Sequence, residues 1–419
     1  MTSNHRASAA GTSGPHARAV SSLRIIVLGH IVRGPLGGMA WSHLHYLLGL
    51  ARLGHDVFFV EDSDDYPSCY DPDMDLTDTD PTYGLRFATR IFERVGLGDR
   101  WAYHDAHTSR WLGPCADRIL GLCATADLLL NIGGVNPMRP WLTGVPARAL
   151  IDQDPAFTQI RHLTDPAARD LAMHHTAFFS FGENIGLIRS AIPGDGLPWW
   201  PTRHPIVLDD WPVTAGPARG RFTTVMLWES YPPREYCGMR YGLKSDSFGP
   251  YLDLPEKAGD IFELAIGGPT APYALLRGKG WGVRDPRGPT RDPWTYQRYI
   301  QQSKAEFSVA KHGYVISCSG WFSERSAAYL ASGRPVLVQE TGFSDWLQTG
   351  SGVIPFSTSE EALAGIERIS SRYEFHCRAA RAVAEEYFDA RRVLPDLIER
   401  AMSPTGTYPW TPRSRRDAG

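Results

Sequence analysis

The sequence predicts an α/β protein in which two doubly wound domains face each other across a cleft. Short buried strands alternate with amphipathic helices in two successive series, and a stretch rich in Pro, Gly and Trp at 193–220 separates them. The chain has 419 residues, more than the roughly 250 to 300 that a single core supports. Strands that alternate with helices are typical of parallel sheets with right-handed crossovers.

The composition indicates a globular protein whose partner is a small molecule or another neutral surface. Hydrophobic residues make up 42% and charged residues 21%, and the net charge of -3 gives no electrostatic footprint for nucleic acid or an anionic membrane. The six cysteines form no C-x-x-C pair, which favours reduced thiols in the cytoplasm. We expect a cytoplasmic protein without a membrane span, a signal peptide or a nucleic-acid partner. The oligomeric state is left open.

The first domain is expected to occupy 21–200, after a disordered tail at 1–20. That tail is small, polar and rich in turn residues, so it buries too little apolar surface to become ordered. The domain begins with the strand "LRIIVLG", a glycine-rich loop, the helix "WSHLHYLLGLARLG" and the strand "HDVFFVED". Further buried strands are predicted at 126–134, 147–154 and 176–182.

A second domain is expected at 221–390, after a linker at 201–220. The sequence predicts strands at "FTTVMLWES", "DIFELAIGG", "YVISCSG" and "RPVLVQE", a helix at "SERSAAYLASG" and one long helix over 359–388. A last helix at 391–402 is expected to pack back on the molecule, and 403–419 is expected to form a tail.

Two glycine-bearing loops precede helices and suit an anion. In the first, Gly29, Gly34, Gly37 and Gly38 allow close backbone approach, and the following helix directs its N-H groups and positive dipole end at the loop. Its spacing matches neither G-x-G-x-x-G nor a Walker loop, so an ordinary strand-to-helix turn is the alternative.

The second loop repeats these features in the second domain. Ser319, Gly320 and Ser323 lie before a helix for which Ser323 is the natural N-cap, and Arg325 in the first turn could meet a phosphate. Lys244 in "RYGLKSDSF" and Lys311 in "SVAKHGYV" are further candidate cations, with solvated surface lysines as the alternative. An ordinary capped crossover is the alternative for the loop itself.

Two segments carry a family resemblance. "GHIVRGPLGGMAWSHLHYLLGLARLGHDVFFVED" and "GWFSERSAAYLASGRPVLVQETGFSDWL" resemble the N-terminal signature and the donor-binding segment of nucleotide-sugar glycosyltransferases of the GT-B fold, which has two Rossmann-like domains. The resemblance implies a nucleoside-diphosphate sugar as co-substrate, bound mainly by the C-terminal domain. An acceptor is then expected on the N-terminal domain, and the Arg- and Ala-rich character of the chain favours a small molecule of secondary metabolism. We expect no covalently bound cofactor and no metal, because helix N-termini and a basic side chain can stabilise the leaving group.

The resemblance also assigns roles to residues. It implies that His30 is the base for the acceptor hydroxyl and that Gly37 and Gly38 face the donor phosphates. From the C-terminal domain, the diphosphate or ribose would be held by Ser319, Gly320, Ser323, Glu324, Arg325 and Ser326, with Lys244 and Lys311 as supporting cations. Glu183 and Asn184, after the strand at 176–182, are acceptor-site candidates.

The stereochemical outcome stays open, with inversion favoured. The retaining branch of the family carries E-x7-E, but Gly320 and Ala328 stand at the two glutamate positions. In the inverting branch an aspartate orients the histidine. Here Asn131 occupies that place and leaves Asp152 or Asp154, one strand later, to orient His30.

Two other functions fit the same fold. A nucleotide-sugar epimerase would turn over a donor without an acceptor, whereas a catalytically idle module would bind a nucleotide without turnover.

Overall fold

The computed structural model describes residues 22–403. The predicted tails at 1–20 and 403–419 lie outside these residues, except for Ser403. No helix within the described range is long and apolar enough to cross a membrane.

The first half of the chain forms an eight-stranded sheet with helices on both faces. In chain order its elements are β1 (Arg24–Leu28), α1 (Gly37–Arg52), β2 (Asp56–Asp62), β3 (Cys69–Asp71), β4 (Leu76–Asp78), α2 (Thr82–Arg94), β5 (Trp101–Asp105), β6 (Arg110–Leu112), α3 (Ile119–Ala124), β7 (Leu128–Ile132), α4 (Pro140–Thr143), β8 (Ala147–Asp152), α5 (Phe157–Thr164), α6 (Pro166–Met173), β9 (Ala177–Ser180) and β10 (Trp199–Pro201).

The strand order of this sheet is β10-β9-β8-β7-β1-β2-β5-β6, and only β6 runs antiparallel to its neighbour. Strands β3 and β4 form a separate hairpin. The order reverses between β7 and β1, and such a switch point opens a crevice at the carboxyl ends of parallel strands. The loops after β1 and β7 therefore lie where a ligand is expected.

The second half forms a six-stranded parallel sheet in the order β15-β14-β11-β16-β17-β18. Its elements are β11 (Phe222–Leu227), β12 (Arg234–Tyr236), β13 (Met239–Tyr241), α7 (Lys244–Phe248), α8 (Leu254–Ala258), β14 (Phe262–Gly267), α9 (Tyr273–Gly278), β15 (Gly282–Arg284), α10 (Pro293–Gln301), β16 (Ala305–Ser308), α11 (His312–Ile316), α12 (Glu324–Ala331), β17 (Val336–Gln339), β18 (Val353–Phe356), α13 (Ser359–Ser371), α14 (Tyr373–Tyr387) and α15 (Ala390–Met402). The predicted class of two doubly wound α/β domains is confirmed.

Two predicted elements of the second domain are wrong. The stretch 314–320 is not a strand, because residues 312–316 form α11 and the central strand is β16, at Ala305–Ser308. The charged Glu306 hid that strand, since its carboxylate is fully buried and pairs with Arg325 at 2.7 Å. The helix expected over 359–388 is broken at Arg372 into α13 and α14.

The two domains share packed helices. Helix α10 of the second domain packs on α1 of the first as well as on α12, and the C-terminal helix α15 lies against α1, β8 and β9. One continuous cluster of buried apolar side chains spans both halves of the chain. The loops at the carboxyl ends of the two sheets are thereby held on facing sides.

Candidate active site between the two domains

The loop after β1 is built around a buried carboxylate. The two oxygens of Glu61, on β2, accept the backbone N-H groups of Ile31, Val32 and Arg33, each at 2.7 Å. The Arg33 guanidinium also lies 3.3 Å from Glu61. Burial raises the pKa of Glu61, while Arg33 and the three amides favour its charged form. The loop that carries His30 is therefore fixed in one conformation.

His30 lies at the start of this loop with a neutral ring. Its backbone N-H donates to His43 Nε2 at 3.1 Å, and its ring packs beside Gly34, where a Cβ would come within 2.3 Å of it. Its Nδ1 is buried and has no hydrogen-bond partner among the described residues. Burial lowers the pKa of His30 to about 3, and the nearby Arg33 and His43 lower it as well.

Neither predicted aspartate contacts His30. Asp152 accepts hydrogen bonds from Thr158, Gln159 and Ser180, at 2.6, 3.1 and 2.7 Å, so it organises the turn after β8. Burial raises its pKa, whereas these bonds act in the opposite direction. The inverting arrangement expected from the sequence, a histidine oriented by one of these carboxylates, is not formed in the structure.

Asp154 instead reaches across to the second domain. Its carboxylate accepts the hydroxyls of Tyr231 and Tyr314, and Lys311 Nζ lies 2.9 Å from Oδ1. The Lys311 ammonium also lies over the rings of Tyr231 and Phe157, at 4.4 and 5.2 Å from their centroids. The sequence assigned different roles to Asp154 and Lys311. In the structure they form an ion pair between the two domains.

Gly37 and Gly38 pack against α10. The Gly37 N-H donates to the Thr290 carbonyl at 2.6 Å, and a Cβ there would lie 2.3 Å from the Asp292 carbonyl oxygen. A Cβ on Gly38 would touch the Tyr296 ring at 3.2 Å. Both glycines lack a side chain and therefore allow the two domains to come into close contact. The donor site proposed below does not include them.

The loop before α12 has the features expected of a helix N-terminus that binds anions. Ser323 caps the helix, since its hydroxyl accepts the Arg325 N-H at 3.2 Å. Gly320 has a φ of +74° and donates its N-H to Thr341 at 2.7 Å. Ser319 is fully buried, and its hydroxyl accepts the Trp321 N-H at 3.3 Å. Ser326 is buried in the first turns of the helix.

Arg325 points into its own domain. Its guanidinium bonds Glu306, the Val225 carbonyl and the Ser308 hydroxyl, at 2.7, 2.8 and 2.7 Å. These contacts fasten α12 to β11 and β16, and they leave Arg325 as a fixed positive charge beneath the helix N-terminus. Glu324, next to it, remains half-exposed.

Lys244, in the first turn of α7, stands among other cations. Burial lowers its pKa to about 7, and the charges of Arg325 and Lys311 lower it further, against the weaker opposite effect of Glu324. None of the described residues forms a hydrogen bond or an ion pair with its ammonium. A half-buried cation of this kind is costly unless an anion joins it.

The two predicted acceptor residues lie at the junction between the domains. Asn184 Nδ2 donates to the carbonyls of Cys318 and Gly342, both at 3.0 Å, and its backbone N-H donates to Ser319 at 3.1 Å. Glu183 pairs with Arg203, whose guanidinium stacks over Trp346 at 4.6 Å. Asn184 thereby fixes the loop that precedes α12.

Sequence reasoning missed the tyrosines of this region. Tyr231 and Tyr314 bind Asp154, and Tyr296 lies beside Gly38 and close to Glu324 and Arg325. No local pattern points to Tyr231 or Tyr296, because their partners are distant in sequence. Tyr314 was obscured because its segment was predicted to be a strand.

The GT-B fold consists of two facing Rossmann-like domains, with loops at the carboxyl ends of both sheets that can bind ligands. No family model and no curated protein sequence matches the chain. The comparison with solved structures, by contrast, gives matches over 91% of this chain and the whole length of the other.

These solved structures are glycosyltransferases or complexes with nucleotide sugars. An alpha-glucosyltransferase in complex with UDP-glucose and DNA containing an abasic site has a TM-score of 0.57 at 10% identity. Anabaena Alr3699/HepE in complex with UDP has a TM-score of 0.51 at 11% identity, and its complex with UDP-glucose has 0.52 at 11%. At such identities the likeness shows the fold alone, and the GT-B fold implied by the sequence resemblance is confirmed.

The exclusion of nucleic acid as a partner is contradicted by these comparisons. The alpha-glucosyltransferase structures include complexes with DNA that carries an abasic site, an HMU base or a central A:G mismatch. A chain of this fold therefore can hold DNA, and a net charge close to zero is not a sufficient reason to exclude it.

Proposed function

We propose that the chain is a glycosyltransferase that takes its sugar from a nucleoside-diphosphate sugar. The observation that carries the proposal is Lys244, whose ammonium has no partner among residues 22–403 and lies near Glu324 and Arg325 at the N-terminus of α12. A diphosphate would supply the missing negative charge through charge-assisted hydrogen bonds. The solved structures of the same fold that hold UDP or UDP-glucose support this choice of ligand.

The donor site in this proposal consists of few groups. The N-terminus of α12, with Ser323 and Ser326, faces the diphosphate with its positive dipole end. Lys244 binds the diphosphate directly, Arg325 adds a fixed charge from below, and Ser319 and Gly320 shape the preceding loop. Glu324, whose carboxylate can accept hydroxyl protons, is assigned to the ribose or the sugar. These contacts would stabilise the charge that develops on the leaving diphosphate.

Lys311 is the other lysine of this region. In the structure its ammonium forms an ion pair with Asp154 of the first domain. We propose that it supports the donor electrostatically from that position rather than by direct contact.

The acceptor is proposed to enter from the N-terminal domain, beside His30. A neutral imidazole can accept a proton from a hydroxyl, although a pKa of about 3 makes it a weak base until a nearby anion raises the value. The His30→Ala variant would keep UDP binding and lose transfer. Unchanged transfer by this variant would remove His30 from the mechanism.

The site does not favour inversion over retention, because Asp152 and Asp154 bind other side chains and do not orient His30. The anomeric coupling of the product, measured by proton NMR, decides between inversion and retention.

Thermal-shift measurements with UDP, dTDP, GDP, ADP and CDP test the proposal. A nucleotide at 100 times its dissociation constant stabilises the folded chain by about 2.7 kcal/mol. The nucleotide that binds then names the donor for transfer assays against small hydroxylated acceptors, our proposed class, and against DNA. If no nucleotide shifts the transition, the donor site is wrong.

Two controls separate the alternatives. Turnover of the donor without an acceptor would indicate an epimerase, and binding without any turnover would indicate an idle module. Within residues 22–403 no three or more His, Cys, Asp or Glu side chains group to hold a metal ion. Independence from metal stays a prediction, and transfer in the presence of EDTA tests it.

A further inference from the structure

An Asp-His pair lies on the N-terminal sheet, outside the donor site. Asp62 at the end of β2 and His104 on β5 are paired in register, and His104 Nδ1 lies 2.7 Å from Asp62 Oδ2. Arg139 binds both oxygens of Asp62, at 2.9 and 3.1 Å. Although burial raises its pKa, the bonds from His104 and Arg139 bring the pKa of Asp62 to about 2. Asp62 is therefore a carboxylate at neutral pH.

This carboxylate orients the His104 ring. An ionised Asp62 only accepts, so Nδ1 carries a hydrogen and donates it to Asp62, and Nε2 points away from the carboxylate. No hydrogen bond to Nε2 is formed by any residue in the described part of the chain. The His104 side chain is 12% exposed, against 6% for Asp62. The pair thus leaves one ring nitrogen available, and this nitrogen can form a hydrogen bond with a ligand hydroxyl, which both donates and accepts.

Two tryptophans flank this ring. The centroids of Trp111, on β6, and Trp141, in α4, each lie 4.9 Å from that of His104 and 5.5 Å from each other. Both indoles are only partly buried. Partly exposed indoles offer apolar surface against which the C-H groups of a hydroxylated ring can pack.

The pair is connected to the loop that carries His30. Asn136, in the loop after β7, accepts the Asp62 N-H at 2.9 Å and donates to the Gly29 carbonyl at 2.8 Å. Arg139 follows in the same loop. The His104 strand is two strands from β1, roughly 10 Å away at the usual spacing. The site is therefore adjacent to the switch-point crevice of the sheet, on the side where the acceptor is proposed to enter.

The local charge disfavours an anionic ligand. Asp62 and Asp65 lie beside the position, and Arg139 is bound to both of them. A phosphate or carboxylate would meet a cation that is already paired with two carboxylates.

We infer that Trp111, Trp141 and His104 form an acceptor subsite for a neutral carbohydrate ring, which packs against the indoles and shares a hydroxyl hydrogen bond with His104 Nε2. The inference rests on the proposed function for its place in the reaction. It assigns this part of the acceptor to a saccharide unit beside β5, two strands or roughly 10 Å from β1, the strand that leads into the His30 loop.

Direct binding of saccharides tests the subsite. The probes are methyl α-glucopyranoside, methyl β-glucopyranoside, maltose and cellobiose, followed by saturation-transfer NMR on the full chain, with a single-stranded DNA 13-mer as the anionic comparison. We expect saturable binding of at least one saccharide. The affinity should fall tenfold or more in Trp141→Ala and in His104→Phe, which keeps an aromatic ring but removes Nε2.

His107→Gln is the matched control, since His107 is an exposed histidine of the same hairpin. It should bind the saccharide as the parent chain does, and thermal unfolding of each variant shows whether it folds. The inference is overturned if no saccharide binds the parent chain, if both folded variants bind unchanged, or if only DNA binds. UDP binding is measured separately. Saccharide binding without UDP binding would refute the proposed function and leave the subsite standing, and the reverse result would refute only the subsite.

Discussion

At the scale of single residues, Lys244 connects the structure to the proposed chemistry. Most charged side chains around the cleft have partners within the chain, such as Arg325 with Glu306 and Lys311 with Asp154. Lys244 has none among the described residues and is held close to other cations. A cation without a partner lowers the stability of the ligand-free protein, and it becomes paired when an anion binds.

Replacement of Lys244 separates binding from stability. We expect Lys244→Met to weaken UDP binding by ten- to a hundredfold, since a charge-assisted hydrogen bond contributes about 1.5 to 3 kcal/mol. The melting temperature without ligand should stay equal or rise, because a poorly solvated cation has been removed. Lys257→Met, at an exposed lysine of α8, is the control and should leave both quantities unchanged. A variant that melts early and binds UDP normally would contradict the assignment.

The same lysine makes UDP binding depend on pH. Its pKa of about 7 means that the free site loses its charge above neutrality. Between pH 7.5 and 9 the nucleotide phosphates no longer titrate, as their last pKa is about 6. The dissociation constant for UDP should therefore rise with pH, by up to about tenfold per unit. Isothermal titration calorimetry checks this, and Lys244→Met should show a flat profile over the same range.

At the scale of elements, the sequence predicted the helices and strands that the local pattern of apolar and capping residues determines. The unit β1-α1-β2 and the pair α12-β17 follow from buried aliphatic runs, helical spacing and the Ser323 cap. Strand β16 was not predicted, because the charged Glu306 interrupts its apolar pattern. Glu306 can be buried there because it forms an ion pair with Arg325, which comes 19 residues later. The partners of Lys311, Gly37 and Asn184 are equally remote, so the sequence located the loops of the site but could not say which of their groups remain available to a ligand.

Helix α1 illustrates this limit. Its N-terminal glycines suggested a phosphate site, and the structure shows them against α10. We expect Gly37→Ala to destabilise the chain by about 1 to 3 kcal/mol, because the added Cβ would meet the rigid Asp292 carbonyl. Urea unfolding measures the loss. Gly121→Ala, where a Cβ meets nothing within 4 Å, should change stability by less than about 1 kcal/mol and in the stabilising direction. Equal effects at both positions would contradict the packing role.

At the scale of the whole molecule, several histidines of the first domain and the linker after it are buried in the neutral form. Burial lowers the pKa of His30 and His204 to about 3 and that of His43 and His175 to about 4, and it places the pKa of His45 well below its usual value. Trp41 and Trp211 pack on His45 at the junction of the domains. These rings are therefore part of the packed interior of the protein.

This interior predicts acid sensitivity. Each of these histidines binds a proton more readily in the unfolded chain, so its contribution to stability is complete above about pH 6.5 and is lost as the pH falls towards the folded value. Between pH 7.5 and 5.5 the loss should be on the order of 1 kcal/mol for each histidine. Urea unfolding at the two pH values measures it. His204→Phe should reduce the difference, whereas a stability independent of pH over this range would contradict neutral burial.

The central claim is that Lys244, which has no partner within the described part of the chain, holds the diphosphate of a nucleotide sugar together with the N-terminus of α12. Its most direct test is the calorimetric affinity for UDP of the parent chain, Lys244→Met and Lys257→Met, measured side by side at pH 7. The account predicts saturable binding by the parent chain and the Lys257 variant, and binding weakened at least tenfold in Lys244→Met. Equal affinity of all three proteins, or no binding of any nucleoside diphosphate to the parent chain, would contradict it.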